Sequence, residues 1–188
     1  MPNHKIAVWN CRRGLIGTHI DAKIKRDSIS EYLRSHNLLA MGIIEADIHS
    51  SKSSIKRRNP VDPDEVNSAI NIQGYRTIVP ATLKEHGQAR LIVLVKENVK
   101  VEVKKLSKSS NDLPIEIFDM WIANEKKITV IIYYREHTSG INGLGCIKSQ
   151  KERLNRVLRW WQSLEEMGSD FVTMGNANLD WLRWNDPT

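Results

Sequence analysis

Ala89-Arg90-Leu91-Ile92-Val93-Leu94-Val95 is an apolar run of strand length, rich in branched side chains, and its surroundings decide the class of fold. Residues 75–80 precede it, and 99–104, 115–123 and 127–134 follow, each strand-like, with no helical periodicity between them. Strands following one another in this way do not fit an alternating β-α parallel sheet. They fit sheets packed on each other with helices outside, an α+β fold.

Working outward, residues 5–10 read as a short buried strand that ends in the polar turn Cys11-Arg12-Arg13-Gly14. Asp27 or Ser28 is predicted to cap a helix with Ile29, Tyr32 and Leu33 on one face, running to His36. The apolar run from Leu38 ends abruptly in Glu45, and residues 50–65, rich in Ser, Lys, Arg and Pro, read as an exposed basic loop. A longer helix is predicted over 149–167: Ser149 and Glu152 have capping-box spacing, Leu154, Val157, Leu158, Trp161 and Leu164 form one stripe, and Gly168 stops it. Residues 170–175 read as a further short strand, followed by Asn176-Ala177-Asn178.

The chain of 188 residues suffices for one domain, residues 1–188, and its composition is that of a globular protein. An excess of 28 Lys+Arg over 22 Asp+Glu favours a polyanionic partner, nucleic acid first. Cys11 and Cys146 are too few for a disulfide framework, which points to an intracellular, reducing compartment. The N-terminus has no apolar signal region, and every apolar run is far shorter than a membrane span, so no membrane association is expected.

Polar groups stand at the ends of several apolar strands: Asn10, Glu45, Tyr134 and the pair Asn176/Asn178. Each has a plain reading, since Asn and Asp commonly close strands as turn formers. Strand ends of a sandwich nevertheless converge at one rim, where such groups can act together. The cations Lys52, Lys56, Arg57 and Arg58 lie in the basic loop and Arg135 follows Tyr134; they suit a phosphate backbone or, equally, a solvated charged surface.

The ordered set Ile6–Leu15 (through Trp9-Asn10), Ile43-Ile44-Glu45-Ala46, Ala89–Val95, Ile132-Tyr133-Tyr134-Arg135-Glu136-His137 and Gly175-Asn176-Ala177-Asn178-Leu179-Asp180 resembles the endonuclease/exonuclease/phosphatase superfamily. Within it the chain is most similar to the apurinic-endonuclease-like endonuclease domain of non-LTR retrotransposons. That resemblance implies a DNase I-like four-layer α/β/β/α sandwich and a metal-dependent hydrolase of DNA phosphodiesters. It assigns Glu45 to Mg²⁺ (or Mn²⁺), with Asn10 helping to hold metal and phosphate. Tyr134 would approach the scissile phosphate, and Asn178 would orient groups around the attacking water. DNA is the implied partner, the reverse transcriptase portion of a longer polyprotein a second one, and the nucleus the place of action.

Two departures bear on activity. The family's Gly-Asp-x-Asn appears here as Gly175-Asn176-Ala177-Asn178, and an amide at 176 cannot take a proton from water near neutral pH. The family's later aspartates and closing Asp-His pair would fall beyond Thr188, so the domain is expected to lack its C-terminal strands. The expectation is therefore a weak or inactive endonuclease, with a non-catalytic DNA-binding remnant as the alternative. A phosphatase of the same fold is a third reading.

Overall fold

Strand β1 (Lys5–Asn10) meets apolar neighbours on both sides: Ile6 and Val8 pack into one core, Ala7 and Trp9 against another. A sheet apolar on both faces must be covered twice, by helices on one side and a second sheet on the other. The computed structural model has this arrangement; it describes residues 5–12, 15, 20–49, 63–78, 88–104, 115–122, 126–134, 155, 162 and 170–176.

The first sheet has the order β1-β2-β4-β3, with β2 spanning Leu38–His49, β3 Tyr75–Ile78 and β4 Gln88–Lys96. β1 runs parallel to β2, while β4 is antiparallel to both β2 and β3. The second sheet has the order β5-β6-β7-β8, from Val101–Lys104, Ile115–Ile122, Lys126–Tyr134 and Phe171–Asn176. Between the sheets lie Ala40, Ile44, Leu91, Val93, Val95, Phe118, Met120, Val130 and Ile132, all buried. Each such side chain contributes about 1.5–3 kcal/mol by leaving water.

Helices α1 (Ile20–Ser35) and α2 (Pro63–Ile70) cover the outer face of the first sheet, placing Ile29, Leu33, Val66 and Ile70 on Met41, Ile43, Ile92 and Leu94. α1 starts seven residues before the predicted cap. Asp27 lies inside it, paired with Lys23 at 2.7 Å, and Ala22 carries the buried stripe two turns back from Ile29. The helix closes at Asn37, whose φ of 51° is the left-handed conformation that ends helices. α2 overlaps the segment predicted as loop. Its signals are local: Pro63 at the first position, acidic residues after it, and Val66 and Ile70 four apart. Of the predicted helix over 149–167, Asn155 and Gln162 are helical and the rest lies outside the described residues. Among the described residues no helix is long and apolar enough to cross a membrane.

The short link between the sheets fixes how they face. β4 ends at Lys96, a tight turn follows (Val99 N–H to Lys96 O, 2.9 Å), and Trp121 N–H donates to Lys100 O at 3.0 Å as β5 begins. The end of β4 lies beside Ala40 at the start of β2, and the start of β5 lies beside Met120, which pairs with Ile128 near the start of β7. The N-terminal ends of β2 and β7 therefore share one edge of the sandwich. Further along both strands Gly42 meets Ile132, so they run the same way. The C-terminal ends of β1, β2, β7 and β8 are brought to the opposite edge.

At Gly42 the two sheets approach closely. A Cβ there would sit 2.6 Å from Ile132 Cγ2, 2.9 Å from its Cδ1 and 3.4 Å from Val8 Cγ2. Ile132 is fully buried and cannot swing away. Gly42→Ala should destabilise the domain by about 1–3 kcal/mol in chemical denaturation. Combined with Ile132→Ala it should cost less than the sum of the two single changes, since the second substitution empties the space the first needs.

Tyr75 ties helix to sheet: its hydroxyl donates to Leu38 O at 2.7 Å and lies 3.3 Å from Leu33 O. Burial raises its pKa above the usual tyrosine value. A raised value means that the folded state holds the proton more tightly. Its contribution is complete below pH about 10 and is lost as pH rises through the folded-state value. Tyr75→Phe should cost about 1 kcal/mol at neutral pH. It should also flatten the alkaline loss of stability when melts are compared above and below pH about 10.

Candidate functional site

β1 ends where β2 changes course. Their pairing runs to Asn10 opposite Ile44, and Cys11 N–H donates to Ile44 O at 3.0 Å. On its other side β2 pairs with β4 through Ile44–Leu91 and resumes at Ile48–Ala89, so β2 advances four residues while β4 advances two. The surplus is a bulge, and Glu45 is its first residue, with φ of 54°. β2 thus does not stop at Glu45, as the sequence suggested, but continues to His49. A non-glycine residue in this left-handed region costs about 1–2 kcal/mol, and such strain collects at functional sites.

The strained carboxylate is held. Asn10 Nδ2 donates to Glu45 Oε1 at 2.9 Å, while Asn10 Oδ1 accepts from Arg12 N–H at 2.9 Å. The two contacts leave no choice of amide orientation, because a carboxylate can only accept and a backbone N–H can only donate. Arg12 itself has φ of 50°, and Cys11 Sγ lies 3.2 Å from Glu45 O. Asn10 acts here as a strut: one end fixes the turn after β1, the other fixes the carboxylate of β2.

At the same edge, β7 and β8 end as parallel neighbours, Tyr133 opposite Gly175 and Tyr134 opposite Asn176. A Cβ on Gly175 would run into the Tyr133 carbonyl oxygen and stand 2.8 Å from its ring, so a side chain is excluded at 175. Burial raises the pKa of Tyr133. Tyr134 and Asn176 are the next positions of the same parity after Ile132 and Met174, with which β7 and β8 enter the core between the sheets. The backbone thus brings positions 10, 45, 134 and 176 to one rim. Asn178, Lys52, Lys56, Arg57, Arg58 and Arg135 lie outside the described residues.

Among the described residues no group of three or more His, Cys, Asp or Glu side chains is placed to hold a metal ion. Mg²⁺ does not require one: it keeps several waters and binds through one or two carboxylates together with substrate phosphate. A single half-buried, oriented carboxylate at Glu45 fits that mode.

The rim also has a feature that the sequence alone presents as a plain polar turn. A cleft of about 490 Å³ opens between the end of β1 and α1, lined by Trp9, Asn10, Cys11, Arg12, Lys25 and Ile29. The available signal was an aromatic residue and two arginines flanking Asn10 in sequence.

Strain and side-chain contact can be separated by experiment at Glu45. Glu45→Ala and Glu45→Gly both delete the carboxylate, but only glycine adopts φ of 54° freely. Glu45→Gly should be the more stable of the two by about 1 kcal/mol in urea unfolding. Equal stabilities would mean that the bulge relaxes on substitution.

No family model and no curated protein matches the sequence. Solved structures do match. Humanised zebrafish (D. rerio) TDP2 superposes with a TM-score of 0.55 at 14% identity, covering 93% of this chain and 62% of that one. C. elegans TDP2 gives 0.54 at 14% identity, covering 92% and 48%. The human Nocturnin catalytic domain, solved with bound sulfate, gives 0.51 at 10% identity, covering 92% and 64%. The chain thus spans between about half and two thirds of the proteins it superposes on. At these identities the likeness speaks for architecture, and with the two packed sheets described above it makes this a DNase I-like fold.

Proposed function

We propose that this is a metal-dependent nuclease-type phosphodiesterase domain acting on DNA, of the retrotransposon endonuclease branch, and that this copy cleaves weakly or not at all. The observation that carries the reading is the Asn10–Glu45 hydrogen bond at a strained bulge on the rim where β7 and β8 also end. Strain retained at a rim, with a side chain from another strand holding the carboxylate in place, is what a working site requires and a mere strand end does not.

Glu45, with Asn10 orienting it, would hold Mg²⁺ or Mn²⁺, which when bound supplies charge stabilisation for a phosphoryl group. The chain's own part is orientation. Asn10 fixes the carboxylate, Tyr134 stands at the end of β7 for a hydroxyl contact to phosphate, and Asn176 and Asn178 position water. The weak step is at 176. An amide can hold a water molecule but cannot take its proton, and losing a general base lowers rates by about 10²–10⁴-fold. The cations Lys52, Lys56, Arg57, Arg58 and Arg135 would follow the DNA backbone. On this reading the domain works in the nucleus beside the reverse transcriptase portion of a longer polyprotein.

Nicking of supercoiled plasmid in Mg²⁺ tests this directly. The chain as it stands should nick at or near background. Asn176→Asp should raise the rate by about 10²-fold or more, and adding Glu45→Gln should abolish the gain. Efficient nicking by the unaltered chain that survives Glu45→Gln would overturn the assignment of the site. Asn176 also favours a second reading, a DNA-binding remnant without chemistry. Salt-dependent DNA binding with no nicking even after Asn176→Asp would select it.

A further inference from the structure

The cleft beside Glu45 is built unlike a phosphate groove alone. Its floor is apolar, with Ile29 1% and Cys11 5% exposed, and Trp9 forms a half-buried aromatic wall. Trp9 is backed by Tyr32 edge-on, at 6.1 Å between ring centroids and 64° between planes, and Tyr32 in turn stacks on His36 at 4.1 Å. Two cations belong to the lining: Arg12, exposed and fixed at its backbone by the bond to Asn10, and the half-buried Lys25 of α1. Asn10 is shared between this cleft and the carboxylate of Glu45.

A cleft whose lining combines an aromatic ring, apolar side chains and two cations complements a molecule that is flat, apolar in the middle and anionic at the edge. We propose that the cleft receives one unpaired nucleotide, its base against Trp9 and Ile29 and its phosphate toward Arg12 and Lys25. This rests on the reading of the domain as DNA-directed and narrows it. A base inside a continuous duplex is stacked and paired, so it cannot enter the recess without being extruded, whereas a single strand presents its bases freely. The strand bound at Glu45 is thus single-stranded, or unpaired next to the phosphate held there.

The test needs no cleavage. Binding of fluorescein-labelled oligothymidylate and of a blunt duplex of equal length is measured by anisotropy on the full chain in EDTA. The single strand should bind roughly tenfold more tightly, as expected from stacking of one base. Arg12→Gln with Lys25→Gln should weaken that binding and reduce its salt dependence by about 0.7 in log–log slope for each phosphate no longer neutralised. Ultraviolet crosslinking of an iodouracil-substituted strand to the unaltered chain should map to Trp9, a result that does not depend on how the variants fold. Duplex binding as tight as that of the single strand, or crosslinks away from Trp9, would overturn the cleft assignment and leave the nuclease reading standing. Binding of neither nucleic acid would overturn both. Single-strand binding with a Trp9 crosslink, but no nicking after Asn176→Asp, would uphold the cleft and remove the nuclease.

Discussion

Gly42 against Ile132 is the contact on which the geometry of the domain depends. Two sheets with right-handed twist can slide over each other unless something fixes their spacing, and a missing side chain under a fully buried isoleucine does so. The short crossing from Lys96 to Val101 then sets their direction. It joins the end of β4, beside the start of β2, to the start of β5, on the side where β7 begins, so the opposite edge must collect the ends of β1, β2, β7 and β8. Positions 10, 45, 134 and 176 are far apart in sequence, and the glycine and the turn bring their backbone to one rim.

At that rim the chain accepts local cost. Arg12 and Glu45 both have left-handed backbone, although neither is a residue that favours it. The bulge after Ile44 interrupts the ladder between β2 and β4, and the Asn10 amide joins the turn after β1 to the carboxylate that the bulge presents. An amide–carboxylate hydrogen bond contributes about 1.5–3 kcal/mol, comparable with the strain it accompanies. The bulge depends on the pairing of β2 with β4 and the strut on the pairing of β1 with β2, so the oriented carboxylate needs both pairings.

Much of this was legible in the sequence. The strand series from β3 to β7 was marked by branched and aromatic residues, and their unbroken succession excluded a parallel β-α sheet before any pairing was known. Helix boundaries were less legible. The apolar residues Ile20 and Ile24 in the first part of α1 are exposed, at 61% and 55%, while the small Ala22 faces inward, so the pattern there points away from the core. α2 lies within a polar segment and contributes only Val66 and Ile70 to the core, too few to stand out. At the site, residue identities pointed to Asn10 and Glu45 because each closes an apolar run. The bulge was invisible, since the conformation of Glu45 is set by its pairing with β4, which no local pattern encodes. The Trp9 cleft was hidden for the same reason: its two sides belong to β1 and α1, and only packing joins them.

The charges at the rim bear on what such a site can still do. Hydrolysis of a phosphodiester needs carboxylates as well as cations, because a proton must leave the attacking water while negative charge builds on phosphorus oxygens. On the proposed nuclease reading, an amide rather than a carboxylate at 176 would leave out a proton acceptor and also a repulsion toward phosphate. Glu45 stands at the bulge of β2, and the neighbouring cleft that shares Asn10 carries Arg12 and Lys25 in its lining; on the proposed reading that balance would favour holding a polyanion over turning it over. On the proposed nuclease reading, the amide would weaken proton transfer and at the same time favour ground-state binding, and binding that is not specific to the transition state does not raise the rate. Tight DNA binding and slow cleavage would then share one physical cause.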